Sequence, residues 1–235
     1  MKTIHLDKII EFIPQILPYF GMTLAYVVCS LFFGTALAVL ITWQKLGSNK
    51  VLRKLAYGYT TVMRCVPSIV LLFLTYYGVI FVFRQFLGIQ LTGENKFVYV
   101  TVTFSLFIGS SMSEVMRSAY EAVEKGQMEA GLSIGLSAGQ VFRRIILPQA
   151  FRIAIPNVGN NIIYLFKEGA LAYIIGLIDM MGKGMLIKGT NGRGFDMEVY
   201  IALACIYWPL SILLEQLFKQ LEKRFSKGFV RTLER

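Results

Sequence analysis

Side chains that could bind a charged solute lie along one apolar segment of the chain. Asn157, Asn161, Tyr164 and Glu168 follow one another at helical intervals, and at about 100° per residue they share one face of a helix. A carboxylate accepts hydrogen bonds from an ammonium group, while amide and hydroxyl groups donate hydrogen bonds to a carboxylate. The stripe therefore predicts a site for a small zwitterionic or charged solute.

Further polar residues extend this predicted site. Thr103, Ser110 and Glu114 share a face of a second apolar segment, and Arg64 precedes a third. Charged groups inside a membrane are costly and usually face a partner or water. We expect the cavity to be lined by Asn157, Asn160, Asn161, Tyr164, Lys167, Glu168, Glu114 and Arg64. Pairing with a neighbouring chain is an alternative for Lys167 and Glu168, and bracing of a loop or subunit contact is an alternative for Glu114.

Catalytic and metal-binding clusters are not evident in the sequence. Cys29, Cys65 and Cys205 sit singly, and His5 is the one histidine. The run Gly182-Lys183-Gly184 lacks the spacing and the hydroxyl of a phosphate-binding loop. We therefore expect no catalytic residue, no metal and no cofactor in this chain.

The composition favours a membrane environment. Of the 235 residues, 55% are hydrophobic and 16% are charged, whereas soluble domains average about 45–50% apolar and about 25% charged residues. The apolar residues form blocks of about 18–25, the length at which an α-helix crosses a bilayer. Since backbone polar groups must be satisfied internally in lipid, these contiguous blocks predict an all-α polytopic membrane protein.

Five transmembrane helices are predicted from these blocks. They are placed at residues 19–42, 66–83, 97–116, 153–178 and 199–218. Residues 1–18 are interpreted as an amphipathic segment at the membrane interface. Residues 19–225 would form the transmembrane domain, and residues 226–235 a cytoplasmic tail.

Positive charge is distributed unevenly among the segments between the spans. Most lysines and arginines fall in the long loop before the fourth span, in the tail, and in a basic loop after the first span that contains Lys45, Lys50, Arg53 and Lys54. Because cytoplasmic segments carry the excess of lysine and arginine, we expect the N-terminus outside, the C-terminus inside and a glycine-rich external loop at residues 179–198. This asymmetry accounts for the net charge of +10 without a nucleic-acid partner.

The long loop, about residues 121–150, has helix-boundary signals of its own. Residues 121–136 predict a short helix, and Ser137 with Gln140 predicts a capping box that begins a second one. Gly135 is placed to turn the chain, since glycine adopts a positive φ at little cost. Pro148 is expected to end or bend the second helix. Taken alone, this pattern also fits an amphipathic loop on the lipid headgroups.

The same loop resembles the signature loop of bacterial ABC importer permeases. The matching positions are Glu129, Ala130, Gly135, Ile145, Leu147 and Pro148, and the resemblance implies that Gly131 belongs to the same ATPase-coupling surface. In that family the loop is a coupling helix that sits in a groove of the ATPase subunit. Gly131 stands where the family usually has alanine, and we expect this difference to affect local stiffness more than docking.

Other motifs resemble those of polar amino acid permeases, and the likeness covers about residues 20–225. Arg64-Cys65-Val66-Pro67 is similar to the arginine–proline box before the second span, which usually has Gly-Thr in the middle. Lys167-Glu168-Gly169-Ala170-Leu171 stands where the family more often has Lys-Asp-Thr-Ser-Leu. Because two hydroxyl groups of the usual motif are missing, the motif does not indicate which substrate is carried.

The resemblance implies the permease subunit of an ATP-driven importer for a polar amino acid in a bacterial inner membrane. The implied partners are a dimer of cytoplasmic ATP-binding subunits that bind ATP and Mg²⁺, a second permease chain that is identical or homologous, an external amino-acid-binding protein, and membrane lipid. Residues 167–179 are similar to permeases for cystine or related sulfur amino acids.

Three other functions are alternatives to an importer. An ion-coupled secondary transporter of small polar solutes would need no ATPase and would transport alone under an ion gradient. A membrane enzyme is disfavoured because the sequence offers no nucleophile–base pair or paired carboxylates. A scaffold without transport activity would leave the polar intramembrane stripe unexplained.

Overall fold

The computed structural model describes residues 4–90, 93–191 and 194–226, and within these ranges it contains helices and turns but no strand. Its α-helices, numbered in chain order, are α1 (Leu6–Ile16), α2 (Phe20–Leu46), α3 (Lys50–Cys65), α4 (Ser68–Phe73), α5 (Val79–Leu87), α6 (Lys96–Glu121), α7 (Lys125–Ser133), α8 (Ala138–Val141), α9 (Leu147–Glu168), α10 (Met180–Thr190) and α11 (Asp196–Ser226).

Several of these helices are long and apolar enough to cross a membrane. Among the described residues, four continuous stretches qualify: Leu6–Leu46, Ser68–Leu87, Lys96–Glu121 and Asp196–Phe225. A fifth candidate span is Ala138–Ile175 together with Met180–Thr190, a pair bent by 45°. The predicted all-α fold with several spans is confirmed, while the side on which each terminus lies stays a prediction.

Helices α2 and α6 pack together at the centre of the bundle. A β-carbon on Gly34 would lie 2.8 Å from Cγ2 of Ile108, and one on Gly109 would lie 2.8 Å from Cδ2 of Leu37. Small residues let helix backbones approach closely in a membrane, where the hydrophobic effect does not drive association. The main apolar core surrounds this contact.

The predicted basic loop after the first span is wrong. Lys45 lies in the last turn of α2, and α3 begins only a few residues later at Lys50. The side chain of Asn49 caps α3 by accepting hydrogen bonds from the backbone N–H groups of Val51 and Leu52, at 3.0 and 3.2 Å. Lys50, Arg53 and Lys54 interrupt the apolar pattern without interrupting α3, because they are exposed on that helix, whereas Lys45 is buried at the end of α2.

Helix α3 runs alongside α6. The Tyr59 hydroxyl donates a 2.6 Å hydrogen bond to the carbonyl of Leu106, and the Ser110 hydroxyl donates a 3.3 Å bond to the carbonyl of Thr60. The helical path into the bundle therefore starts well before the second span predicted at residues 66–83. Pro67 separates α3 from α4 and occupies the N-cap position of α4.

The predicted glycine-rich external loop at residues 179–198 is also wrong. Its first half forms α10, which the Asp179 side chain caps by accepting a 2.8 Å hydrogen bond from the Gly182 N–H. A β-carbon on Gly184 would lie 2.8 Å from Cδ1 of Leu203 on α11. The glycine at position 184 therefore permits close packing of helices. Composition alone does not distinguish a glycine in this role from a glycine in a turn.

Pro148 does not end the second helix of the long loop. A π-helical turn at Phe142–Ile146 precedes it, with the Leu147 N–H bonded to the carbonyl of Phe142, and α9 continues to Glu168. Proline has no N–H and crowds the preceding turn, and a π turn accommodates that irregularity. The second helix is therefore the beginning of the fourth span and not a separate element.

The N-terminal segment forms the amphipathic helix α1. Its apolar residues Ile9, Phe12 and Ile16 are buried, and the helix packs on α10 and α11. Its location at the membrane interface stays a prediction. Of the predicted tail at residues 226–235, all but Ser226 lies outside the described residues.

Candidate functional site

The predicted polar stripe lies along α9 on the surface of the chain. Asn157 is exposed, and its carbonyl accepts a 2.8 Å hydrogen bond from the side-chain amide of Asn161. Tyr164 is 44% exposed and stacks on Phe107 of α6, with ring centroids 5.6 Å apart. The neighbouring Asn160 is exposed as well. The stripe thus forms a polar strip on the surface beside α6.

The end of the stripe is joined to α4. The Ser68 hydroxyl donates a short hydrogen bond to the Glu168 carboxylate, and both residues are half-buried. Glu168 forms no ion pair within residues 4–90, 93–191 and 194–226, and the adjacent Lys167 is exposed. Because no cation among the described residues is paired with this carboxylate, it can still receive a cationic group.

Glu114 and Arg64 occupy different surroundings from the stripe. Glu114 forms ion pairs with Lys45 of α2 and with Arg117 of α6, at 2.5 and 2.8 Å. This is the geometry of a brace between helices, the alternative considered for Glu114. Arg64 is exposed in the last turn of α3. Contact of either residue with a solute stays a prediction.

The structure explains one departure from the family motif. Gly169 is buried, and a β-carbon there would lie 2.6 Å from the hydroxyl oxygen of Tyr26. Tyr26 in turn donates a 3.1 Å hydrogen bond to the buried carboxylate of Asp179. Position 169 therefore packs against α2. Tyr26 occupies the space that a side chain with a hydroxyl group would need at this position.

The second candidate site follows the end of α6. We name α7, the turn at Gly135 and α8 the docking element. Gly135 has φ +85°; its N–H bonds to the carbonyl of Leu132, and the N–H of Leu136 bonds to the carbonyl of Gly131. These two bonds form a Schellman motif, which ends α7 and satisfies its free carbonyls. The capping box of Ser137 and Gln140 is present, so the predicted turn and the predicted start of the second helix are confirmed. The predicted start of the first helix at residue 121 is wrong, because α6 continues to Glu121 and α7 begins at Lys125.

A separate apolar cluster supports the docking element. The buried members are Ala119, Val123, Val141, Ile146, Ala150 and Ala154. Gly131 is buried against Val141 of this cluster, whereas Glu129 and Ala130 on the same helix are exposed. Leu147 and Pro148, which were predicted to belong to the same contact, are exposed at the start of α9. The docking element is thus held on one side and open on the other.

The open side of the docking element carries apolar side chains and a pocket. Leu132 and Ile134 are exposed, Ile134 to 77%, and so is Leu147 at the start of α9. A pocket of about 320 Å³ lies where α6 meets α7, and its lining includes Glu121, Glu124, Lys125 and Glu129. Exposed apolar residues with a charged rim are typical of a protein-binding surface.

Sequence reasoning missed Lys45, Ser68 and Asp179. Their partners are Glu114, Glu168 and Tyr26, each on an element distant in the sequence. For Asp179 a local signal existed, because an aspartate before a helix is a preferred N-cap. Among the described residues no group of three or more His, Cys, Asp or Glu could hold a metal ion.

Comparison with known sequences gives consistent matches over nearly the whole chain. The family model for the binding-protein-dependent transport system inner membrane component matches residues 42–227. The chain is 36% identical over 231 residues to the L-cystine transport system permease protein TcyL of Bacillus subtilis (strain 168), covering 98% of this chain and 95% of that protein. It is 32% identical over 215 residues to the histidine/lysine/arginine/ornithine transport system permease protein HisQ of Salmonella typhimurium, covering 89% of this chain and 92% of that protein.

Solved structures agree with this result. The chain superposes on a chain of an amino acid ABC transporter crystallised with histidines with a TM-score of 0.83 and 27% identity, covering 94% of this chain and 99% of that one. It shares the fold of a chain of the inward-facing MetNI methionine ABC transporter with a TM-score of 0.65 at 18% identity, covering 90% and 94%.

Proposed function

The chain belongs to the family of binding-protein-dependent transport system inner membrane components, and on this basis we propose that it is the permease subunit of an ATP-driven ABC importer for polar amino acids. The observation that carries the proposal is the docking element. It presents exposed apolar residues and a charged pocket to a partner, while its own apolar cluster holds it against the ends of α6 and α9. Such a surface is suited to receive force from another protein.

The partner of the docking element would be a cytoplasmic ATP-binding subunit, present as a dimer. ATP and Mg²⁺ would be bound there and not by this chain. Closure of the ATPase dimer would move α7, and the apolar cluster would pass that movement to α6 and α9. The solute would cross the membrane without covalent change.

The polar stripe on α9 supports the expectation of a second permease chain. Asn157, Asn160, Tyr164 and Lys167 are exposed on a helix long enough to span a membrane. Polar groups facing lipid are costly, so a water-filled cavity shared with another permease, identical or homologous, would be the favourable environment. Glu168 with Ser68 would receive the ammonium group of the solute, and the asparagines and Tyr164 its carboxylate.

Cystine or a related sulfur amino acid is the proposed substrate. This proposal is supported by the relative at 36% identity, which is a permease of an L-cystine transport system. Delivery by an external amino-acid-binding protein and location in a bacterial inner membrane complete the proposal. The relatives give no support to an ion-coupled secondary transporter.

Co-purification from native membranes would test the assignment. We expect the tagged chain to bring down an ATP-binding subunit, identified by mass spectrometry. Reversing the charge of the docking element with Glu129→Lys should remove that subunit. Glu94→Lys is the matched control, because Glu94 is also exposed but precedes α6, at the opposite end of that helix from the docking element.

Retention of the ATPase by Glu129→Lys, with further retention when residues 129–135 are deleted, would reject the docking assignment.

Uptake by the purified complex in liposomes would identify the substrate. Uptake of labelled cystine should require the binding protein. It should also require ATP on the side of the liposome membrane that the docking element faces. Uptake driven by an ion gradient through this chain alone would favour the secondary transporter instead.

A further inference from the structure

A buried lysine lies at the junction of α2, α3 and α6. Lys45, in the last turn of α2, has a side chain with 0% exposure, and its Nζ lies 2.5 Å from Oε1 of Glu114 on α6. Nζ also donates a 3.0 Å hydrogen bond to the hydroxyl of Ser113. An unpaired buried charge is very costly, so these contacts hold the end of α2 at one height along α6.

The same carboxylate extends the contact along α6. The second oxygen of Glu114 accepts hydrogen bonds from Nε and Nη2 of Arg117, at 3.0 and 2.8 Å. Nη1 of Arg117 lies 2.5 Å from Glu121, the last residue of α6. The chain of ionic contacts therefore runs from inside the bundle to the residue at which α6 ends.

Helix α3 joins this network through an aromatic ring. The centroid of the Tyr57 ring lies 5.4 Å from Nζ of Lys45 and 6.0 Å from Cζ of Arg117. Cations attract the face of an aromatic ring at such distances. We name Lys45, Tyr57, Glu114, Arg117 and Glu121 the ionic junction.

The ionic junction ends at the docking element. Glu121 lines the same pocket as Lys125 and Glu129 of α7, and three residues separate α6 from α7. A buried ion pair is a weak source of stability, because desolvation offsets the attraction between its charges. Its clearer effect is on the relative positions of the helices, because its contacts oppose sliding of α2 and α3 past α6.

We propose that Lys45 is a positioning residue for transport: through Glu114 and Arg117 it links movement of the docking element to α2 and α3. The inference rests on the proposed function and adds a residue outside both the docking element and the polar stripe. Without the ionic junction, α7 would still bind the ATPase, but its displacement would reach α2 and α3 incompletely. ATP would then be hydrolysed with less solute transported.

The test uses the complete transporter in liposomes and measures solute taken up per ATP hydrolysed. Lys45→Met keeps most of the length of the unbranched side chain and removes its charge. We expect uptake per ATP to fall by about fivefold or more, the lower range of energetic coupling between distant sites, while the ATPase still co-purifies. A purely structural role would lower the yield of folded complex and leave this ratio unchanged.

The double variant Lys45→Met with Glu114→Leu guards against misfolding, because apolar replacement of a buried pair is often neutral for stability. It should fold and show the same loss of coupling. The matched control is Lys219→Met, which removes a lysine from an ion pair with Glu215 at 2.6 Å whose side chains are 64% and 53% exposed. Its uptake per ATP should equal that of the wild type.

The outcomes separate the two proposals. Unchanged uptake per ATP in Lys45→Met or in the folded double variant would overturn the role of Lys45 and leave the importer assignment intact. Absence of ATP-dependent uptake by the wild-type complex would overturn the proposed function itself.

Discussion

Gly131 on α7 faces Val141 on α8 at such close range that a β-carbon on Gly131 would lie 2.7 Å from Cγ2 of Val141. The same β-carbon would lie 3.2 Å from Cδ1 of Ile145. Val141 is fully buried, so it has little room to withdraw. The glycine therefore sets how closely the two arms of the docking element pack, in addition to its predicted effect on stiffness.

Gly131→Ala, which restores the alanine usual in the family motif, should destabilise the docking element. Overpacking of this kind costs about 1–3 kcal/mol, and we expect weaker retention of the ATPase together with a lower melting temperature. Adding Val141→Ala should restore both properties. Gly139→Ala is the control, because no atom lies within 4 Å of a β-carbon there. Equal ATPase retention by the two single variants would contradict the steric explanation.

Asp179→Ala should destabilise the whole bundle. It leaves the Tyr26 hydroxyl and the Gly182 N–H without their acceptor, at about 1–3 kcal/mol for each buried group left unpaired. Asp179→Asn should cost less, because asparagine is an equally good N-cap. Thermal unfolding in detergent measures the difference, with the exposed Asp7→Ala as control. The same melting temperature for Asp179→Ala and Asp7→Ala would disprove this role.

Glu168→Ala should impair transport more than folding. Loss of a charged acceptor costs about 1.5–3 kcal/mol, so we expect at least a roughly tenfold rise in the solute concentration for half-maximal ATPase stimulation, by the usual conversion of free energy to affinity. Ser68→Ala should shift it less, since it removes only the hydroxyl that holds the carboxylate. Glu94→Ala serves as the control. If uptake and stimulated ATPase in Glu168→Ala both match the wild type, Glu168 does not contact the solute.

The predicted orientation can be read from single cysteines. With Cys29, Cys65 and Cys205 replaced, a cysteine at Glu94 should react with a membrane-impermeant maleimide on intact cells. A cysteine at Ile134, which is 77% exposed on the docking element, should react only after permeabilisation. Both positions flank α6, one before its start and one after its end. The reverse pattern would invert the topology.

Structural features that depend on a few neighbouring residues were predicted well. The turn at Gly135 and the capping box of Ser137 with Gln140 depend on backbone groups within one helical turn, and both are present. The apolar blocks likewise identified the spanning helices, because block length relative to bilayer thickness needs no tertiary information. Pro148 was expected to end or bend the second helix. It does not end that helix, since a π turn in the same helix accommodates it.

The failures share one cause, which is that a sequence pattern does not reveal what a residue packs against. Basic residues made α3 look like a loop, and glycines made α10 look like another. In the structure the bases of α3 face outward, and Gly184 of α10 packs against Leu203. Helix formation at these places depends on neighbouring helices.

By itself, the sequence determined a helical membrane protein, the turn and the capping box within the docking element and the polar face of α9, since these follow from local backbone chemistry and helical periodicity. Only the tertiary structure decided which polar residues are paired. Lys45 meets Glu114 across 69 positions, Ser68 meets Glu168 across 100, and Tyr26 meets Asp179 across 153. Because the low dielectric of the interior makes an unpaired polar group costly, these pairings depend on which helices the fold brings together, and local sequence patterns do not show that.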